Sequence, residues 1–294
     1  MSQSPLPLFT GCAAALVTPF TQSGEFDEPT FIRLLSRQSD MDAVVILGTT
    51  GEPCSLTMQE RERIISVAVR ESCVPVVVGT GSNNTRTAIE YARQAHRLGA
   101  SAQLGVTPYY NKTTPAGLLR HYGAILDSCA LPLILYNVPA RTGMSMTART
   151  VAELAAHPNV IGIKEASGDL ALAADILAAT DGQLPLYCGN DDLILPMMAM
   201  GAVGAISVAA NIVPLQIRAI TTACLSGCLS QAQAAHSTLL PLLRALTLQV
   251  NPIPIKAAMA MMNLIEEVLR LPLAVMDAPQ RTQLKEALIQ SSLL

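Results

Sequence analysis

Tryptophan is absent from this 294-residue chain, and aromatic residues of all kinds make up 3% of it. Charge is scarce too, at 14%, with a net of −3 and no basic run. A nucleic-acid surface needs clustered lysine and arginine with aromatic rings to stack on, so that class of partner is excluded and a small molecule is expected. Paired cysteines are also missing. The seven cysteines stand at 12, 54, 73, 129, 188, 224 and 228, and only Cys224 and Cys228 lie one helical turn apart. A structural zinc needs about four ligands in tighter groups, so no metal is expected and the thiols read as free, in a reducing cytoplasm. The opening "MSQSPLPLFTG" has neither a basic stretch nor an apolar core, so no signal peptide is expected.

Leu193 to Ile217 carries no charge and is longer than the ~20 residues that span a bilayer. Pro196, Gly201, Gly204, Asn211 and Pro214 cut it into a helix ("LILPMMAM"), a buried strand ("GAVGAISV") and a loop ("AANIVP"). Core, not membrane, is the expectation.

What the chain does contain is a rhythm. Apolar runs recur at 13–17, 43–47, 75–79, 102–107, 131–136, 160–164, 184–188 and 204–208. Unbroken apolarity marks strands buried on both faces, as in parallel sheets. From the second run to the sixth the starts are about 30 residues apart, the length of a strand plus a crossover helix. Between them lie helical stretches. One opens at Thr57 with Glu60 three residues on, a capping-box spacing, and another runs from an asparagine to Gly99. No G-x-G-x-x-G follows the first strand, as a doubly wound nucleotide-binding sheet would require. Eight strand–helix units predict an α/β fold, a (β/α)8 TIM barrel over 1–211. Residues 212–294 are read as the last barrel helix and an appended C-terminal helical region.

The polar and glycine-rich motifs fall after strands: "GTTGEP", "GTGSNN", "TPYYN", "NVPARTG", "EASGD" and "GNDD". In a barrel those ends converge on the face where chemistry is done, which predicts an enzyme. Lys164 ends the sixth run, in "NVIGIKEASGD". A strand-end lysine can simply snorkel to water. At the mouth of a barrel, desolvation instead favours the neutral amine, a nucleophile toward carbonyls that forms a Schiff base. Such chemistry moves protons, and Tyr136, ending the neighbouring run, could carry them. Thr49 and Thr50 could orient the phenol and hold a carboxylate, or serve only the turn. Glu165 alternates away from the barrel axis and is not expected to pair with Lys164.

"GTTGE" (48–52), "VTPYYNK" (106–112), "LYNVPARTG" (135–143), "GIKEASG" (162–168), "GND" (189–191) and "NPIPIK" (251–256) resemble, in order and spacing, the dihydrodipicolinate synthase family of the N-acetylneuraminate lyase superfamily. The resemblance implies a barrel with C-terminal helices, a homotetramer built as a dimer of dimers, and condensation of pyruvate with L-aspartate 4-semialdehyde in lysine biosynthesis, without a cofactor. By motif, Lys164 would form the imine and Tyr136 would donate and accept protons. Thr49, and Tyr110 from across the tight dimer interface, would complete the relay. Thr50, Ile206 and Gly189 would surround the pyruvate, and Arg141 would bind the semialdehyde carboxylate. Sister lyases that cleave 2-oxo-3-deoxy sugar acids share the lysine and tyrosine but generally lack this arginine and the threonine pair. They are the alternative, with a non-catalytic sensor of pyruvate-like acids as the reading outside enzymology.

Lysine-inhibited members of the family commonly carry histidine and acidic ligands where this chain has Met58, Arg61 and Thr87, although Asn83 and Tyr109 remain as remnants of an effector site. A cationic effector would meet Arg61, a like charge, so feedback inhibition by lysine is expected to be weak or absent.

Overall fold

The computed structural model describes residues 7–294. Eight parallel strands close in sequence order into one barrel: β1 (Gly11–Ala15), β2 (Ala43–Ile46), β3 (Val76–Gly79), β4 (Ala102–Val106), β5 (Leu133–Asn137), β6 (Val160–Glu165), β7 (Leu186–Cys188) and β8 (Gly204–Ser207). Between them run α1 (Glu28–Ser36), α2 (Met58–Glu71), α3 (Thr85–Arg97), α4 (Pro115–Leu126), the single turn α5 (Pro139–Thr142), α6 (Ala148–Ala155), α7 (Leu170–Ala179) and α8 (Ile194–Ala199). The chain ends in α9 (Pro214–Leu225), which packs on β1 and β8, then α10 (Leu229–Ala245), α11 (Ile253–Met261) and α12 (Ala278–Gln290). The charge-free stretch is α8, β8 and the start of α9, and among the described residues no helix is long and apolar enough to cross a membrane.

Strand alternation divides the core in two. Ala13, Ala15, Ala43, Val45, Ala102, Leu104, Ile134, Tyr136, Tyr187 and Ile206 fill the barrel interior. Their neighbours, such as Ala14, Val44, Leu133, Ile163 and Leu186, face the helices. Small alanines on β1, β2 and β4 leave room for Tyr187, which stacks on Phe9 with ring centroids 4.4 Å apart and donates its hydroxyl to the Phe9 carbonyl at 2.9 Å. That pair plugs the interior from one side.

The helices begin where the sequence signals it. Thr57 and Glu60 form the reciprocal capping box of α2, Asn84 caps α3, and Asp169 caps α7. Gly99 follows α3 at φ +85°, a left-handed position that costs glycine nothing. The buried face of α2 is mixed, because Arg61 joins Ile64, Ile65, Val67 and Ala68 in it.

Candidate active site

Parallel pairing of β5 with β6 sets Tyr136 directly beside Lys164, and pairing of β6 with β7 sets Lys164 beside Tyr187. Both side chains point inward, and the Lys164 Nζ lies 4.6 Å from the centroid of the Tyr136 ring. Lys164 is 5% exposed and has no hydrogen-bond or ion-pair partner among the described residues. Glu165, one step along the strand, turns outward as expected. It accepts from the Asn137 side chain at 2.8 Å and from the Ser167 N–H at 2.5 Å, and does not contact the lysine.

A cleft of about 350 Å³ opens at the C-terminal mouth of the barrel. Thr49, Tyr136 and Arg141 line it together with Tyr109, Asn251 and the 270–273 segment. Lys164 lies beyond this lining and communicates with the cleft through Tyr136. Ile206 is fully buried in the interior cluster that contains Tyr136. Gly189 packs so tightly on the lysine that a Cβ there would stand 2.9 Å from Lys164 Cε and 2.6 Å from Ala166 Cβ. We therefore expect Gly189→Ala to push the lysine stem aside. A displacement on the order of 1 Å at a reacting group can cost about 100-fold in rate, while such overpacking costs about 1–3 kcal/mol of stability. Turnover measured beside a denaturant melt checks this, and unchanged turnover would refute it.

Thr49 and Thr50 sit on a tight 3-10 turn, Thr49–Gly51. Thr49 is half-buried at the cleft, and the buried Thr50 lies just behind its lining, where its hydroxyl accepts from the side-chain amide of the cleft residue Asn251 at 3.0 Å. The Asn251 carbonyl in turn accepts from the Arg141 guanidinium at 2.9 Å. One C-terminal residue thus bridges two residues expected to bind substrate. Tyr110 is 92% exposed, at φ +69°, and stands outside the cleft of its own chain. Of the two residues expected as remnants of an effector site, Tyr109 lines the cleft, whereas Asn83 lies outside it and offers its carbonyl to the Asn111 side chain.

Several functional-looking groups escaped the sequence reading. Glu52, in a left-handed conformation after the threonine turn, is fully buried and forms an ion pair with the equally buried Lys256 of α11. Lys256 also donates to the Val268 carbonyl at 2.9 Å, and Glu52 accepts from the Arg270 N–H at 3.2 Å. Burial pushes the Lys256 ammonium down to about 8, against the opposing pull of Glu52. Arg270 completes the network by pairing with Glu60, whose carboxyl it holds at about 2. "NPIPIK" was conspicuous as a motif, but nothing local in it names the partner of Asn251 or Lys256. Asp191, in "GNDD", accepts from the Val208 and Ala209 N–H groups at 3.0 and 2.8 Å and fixes the end of β8. Burial raises its carboxyl, and the charge of Lys164 opposes the rise. Burial likewise pushes the Cys188 thiol well up, which disfavours its thiolate.

An amine and a phenol side by side in a barrel, with a guanidinium at the rim, define a lyase of the class I aldolase type. The model of the dihydrodipicolinate synthetase family matches residues 8–291, and the chain belongs to that family. A 4-hydroxy-tetrahydrodipicolinate synthase of Syntrophotalea carbinolica is 46% identical over 285 residues, 96% of this chain and 97% of that one. Among solved structures, the dihydrodipicolinate synthase of Thermotoga maritima superposes with a TM-score of 0.95 at 38% identity, covering 98% of this chain and 100% of that one. The Acinetobacter baumannii enzyme, solved in complex with pyruvate, also gives a TM-score of 0.95 at 38% identity, covering 97% and 100%.

Proposed function

We propose that the protein condenses pyruvate with L-aspartate 4-semialdehyde to 4-hydroxy-tetrahydrodipicolinate, in diaminopimelate and lysine biosynthesis in the cytoplasm. The observation that carries this reading is the β5–β6 register, which pairs Tyr136 with Lys164 and holds the amine against the phenol ring. In this mechanism the Lys164 Nζ adds to the keto carbon of pyruvate and water leaves, giving an imine. Loss of a methyl proton yields the enamine, whose carbon bonds to the aldehyde carbon of the second substrate. The semialdehyde amino group then attacks the imine carbon, closing the ring and releasing the lysine. Tyr136 carries the protons, relayed by Thr49 and by Tyr110 of a second copy. An exposed tyrosine held at positive φ has no use within its own chain, which favours its insertion into a neighbour in a homotetramer. Thr50, Gly189 and Ile206 shape the pyruvate end. Borohydride added with pyruvate is expected to leave a stable adduct on the Lys164 peptide, read by mass; its absence would exclude the imine.

Arg141 selects the second substrate. Among the described residues its guanidinium meets only a backbone carbonyl, leaving donors to grip a planar carboxylate. Removing a charged hydrogen bond costs about 1.5–3 kcal/mol. Arg141→Ala should therefore raise KM for the semialdehyde roughly 10- to 150-fold, while pyruvate is still trapped at the wild-type rate. Steady-state kinetics with each substrate varied in turn check the split. Cleavage of 2-oxo-3-deoxy sugar acids at a comparable rate would instead favour the sister-lyase reading.

A further inference from the structure

The bridge from Thr50 to Arg141 uses only part of Asn251. This residue is half-buried in the cleft wall, where its Nδ2 donates to the Thr50 hydroxyl at 3.0 Å and its backbone carbonyl accepts from Arg141 Nη2 at 2.9 Å. Its side-chain oxygen, Oδ1, is shielded from solvent and has no hydrogen-bond partner. Among the described residues it is the one buried side-chain acceptor of the cleft lining left without a donor. An acceptor in that state costs free energy until something donates to it. The only carboxylate among the described lining residues is Glu52, and its two oxygens are taken by the Lys256 ammonium and the Arg270 N–H.

The position of Oδ1 defines the donor that suits it. The hydrogen bond to Thr50 holds the amide in place, and Oδ1 belongs to the same residue as the carbonyl that meets Arg141. A carboxylate on Arg141 therefore has an acceptor close at hand. A molecule with a donor on the carbon next to its carboxylate is a 2-amino acid. We infer that Asn251 Oδ1 accepts from the amino group of the second substrate and makes the cleft selective for an L-2-amino acid derivative. The inference deepens the proposed condensation and rests on it for the L configuration. With the carboxylate on Arg141, the amino group on Asn251 and the reacting chain directed at Tyr136 and Lys164, three substituents of one carbon are fixed, which sets its handedness. An amide is also the right acceptor for a group that must later attack the imine. A carboxylate in its place would favour the ammonium, which has no lone pair to give.

Calorimetric titration of the full-length protein with L-homoserine, in buffer containing pyruvate, tests this. L-Homoserine carries an alcohol in place of the aldehyde and cannot condense. D-Homoserine has the opposite hand, and 4-hydroxybutyrate keeps the carboxylate without the amine. The wild type should bind L-homoserine roughly 10- to 150-fold more tightly than either, the worth of one charged hydrogen bond. Asn251→Ala should erase that preference and leave 4-hydroxybutyrate binding unchanged, because the backbone carbonyl that meets Arg141 remains. Equal affinities in the wild type, a preference that survives Asn251→Ala, or an equal loss for all three ligands, as a merely structural role would give, would each overturn the assignment. Should Asn251→Ala not fold, a crystal structure of the wild type grown with pyruvate and L-homoserine decides. The amino nitrogen within hydrogen-bond distance of Oδ1 supports the assignment; a nitrogen placed elsewhere, or no homoserine in the cleft, removes it. If 4-hydroxybutyrate binds and only the preference fails, Arg141 keeps its role and Asn251 loses the one assigned here. If no ligand binds, the proposed second substrate falls with it, while the borohydride adduct reports on the imine separately.

Discussion

A Lys164→Met protein folds, melts no lower than the wild type, and makes no product: this is the largest functional effect expected of any single substitution. Methionine keeps the length of the stem inside the barrel but removes the amine of a side chain that is almost wholly buried and has no hydrogen-bond partner among the described residues. Exchanging an uncompensated amine for a thioether should leave stability unchanged or raise it by up to about 2 kcal/mol, the familiar trade of function for stability. Catalysis has no such substitute. Loss of a covalent nucleophile typically costs on the order of 10⁴-fold or more in kcat, and borohydride should trap nothing. Lys164→Arg separates charge from nucleophilicity, since a guanidinium retains the cation but forms no comparable imine. Turnover of either variant within tenfold of wild type would sink the assignment. Tyr136→Phe should fall between, at about 10²- to 10⁴-fold, as expected for a lost general acid–base.

The largest stability effect should come from a residue that touches no substrate. Lys256→Met breaks a pair in which both side chains are fully buried and, among the described residues, leaves the Glu52 carboxylate with only the Arg270 N–H for company. Breaking a buried ion pair from one side costs about 3–5 kcal/mol, a large share of the 5–15 kcal/mol that holds a typical domain together. Two rings of consequence follow. Phe20, flanked by Lys256 at 4.2 Å and Arg270 at 4.4 Å, loses one of two cations over its face. The turn carrying Thr49 and Thr50 also loses its anchor, because Glu52 is the residue that ends it. Adding Glu52→Gln to Lys256→Met should recover much of the stability, since no charge is then stranded. Denaturant melts of the two single variants and the double variant measure the coupling; additive losses would show that the pair does not act as a unit.

Much of this was legible along the chain. Continuous apolar runs located every strand, and alternation placed Lys164 inward and Glu165 outward. The first run, 13–17, lies two residues late on β1 (Gly11–Ala15), while three other runs start early for one shared cause. The runs at 75–79, 131–136 and 184–188 begin β-pairing only at Val76, Leu133 and Leu186. Pro75, Pro132 and Pro185 accept ladder hydrogen bonds from Val44, Gln103 and Ile163 but have no N–H to return. The burial of Arg61 was not legible in the sequence for a different reason. A charged residue in a helix pattern reads as solvent-facing, and only the fold reveals that Tyr91 and the Gly79 carbonyl enclose it. The bridge from Asn251 to Thr50 spans 201 residues and that from Lys256 to Glu52 spans 204, so no local spacing could announce either.

Those two long spans bear on when the protein becomes reactive. During synthesis the β2 strand and its threonine turn leave the ribosome early, followed by Tyr136 and Lys164, so the amine exists well before the site is finished. The residues that lock the turn and hold Arg141 emerge only near the end of translation, when Asn251, Lys256 and Arg270 appear. On the proposed mechanism, a nascent barrel therefore carries its amine without the geometry that directs it. Competence arrives late, as one event, with the closing helices.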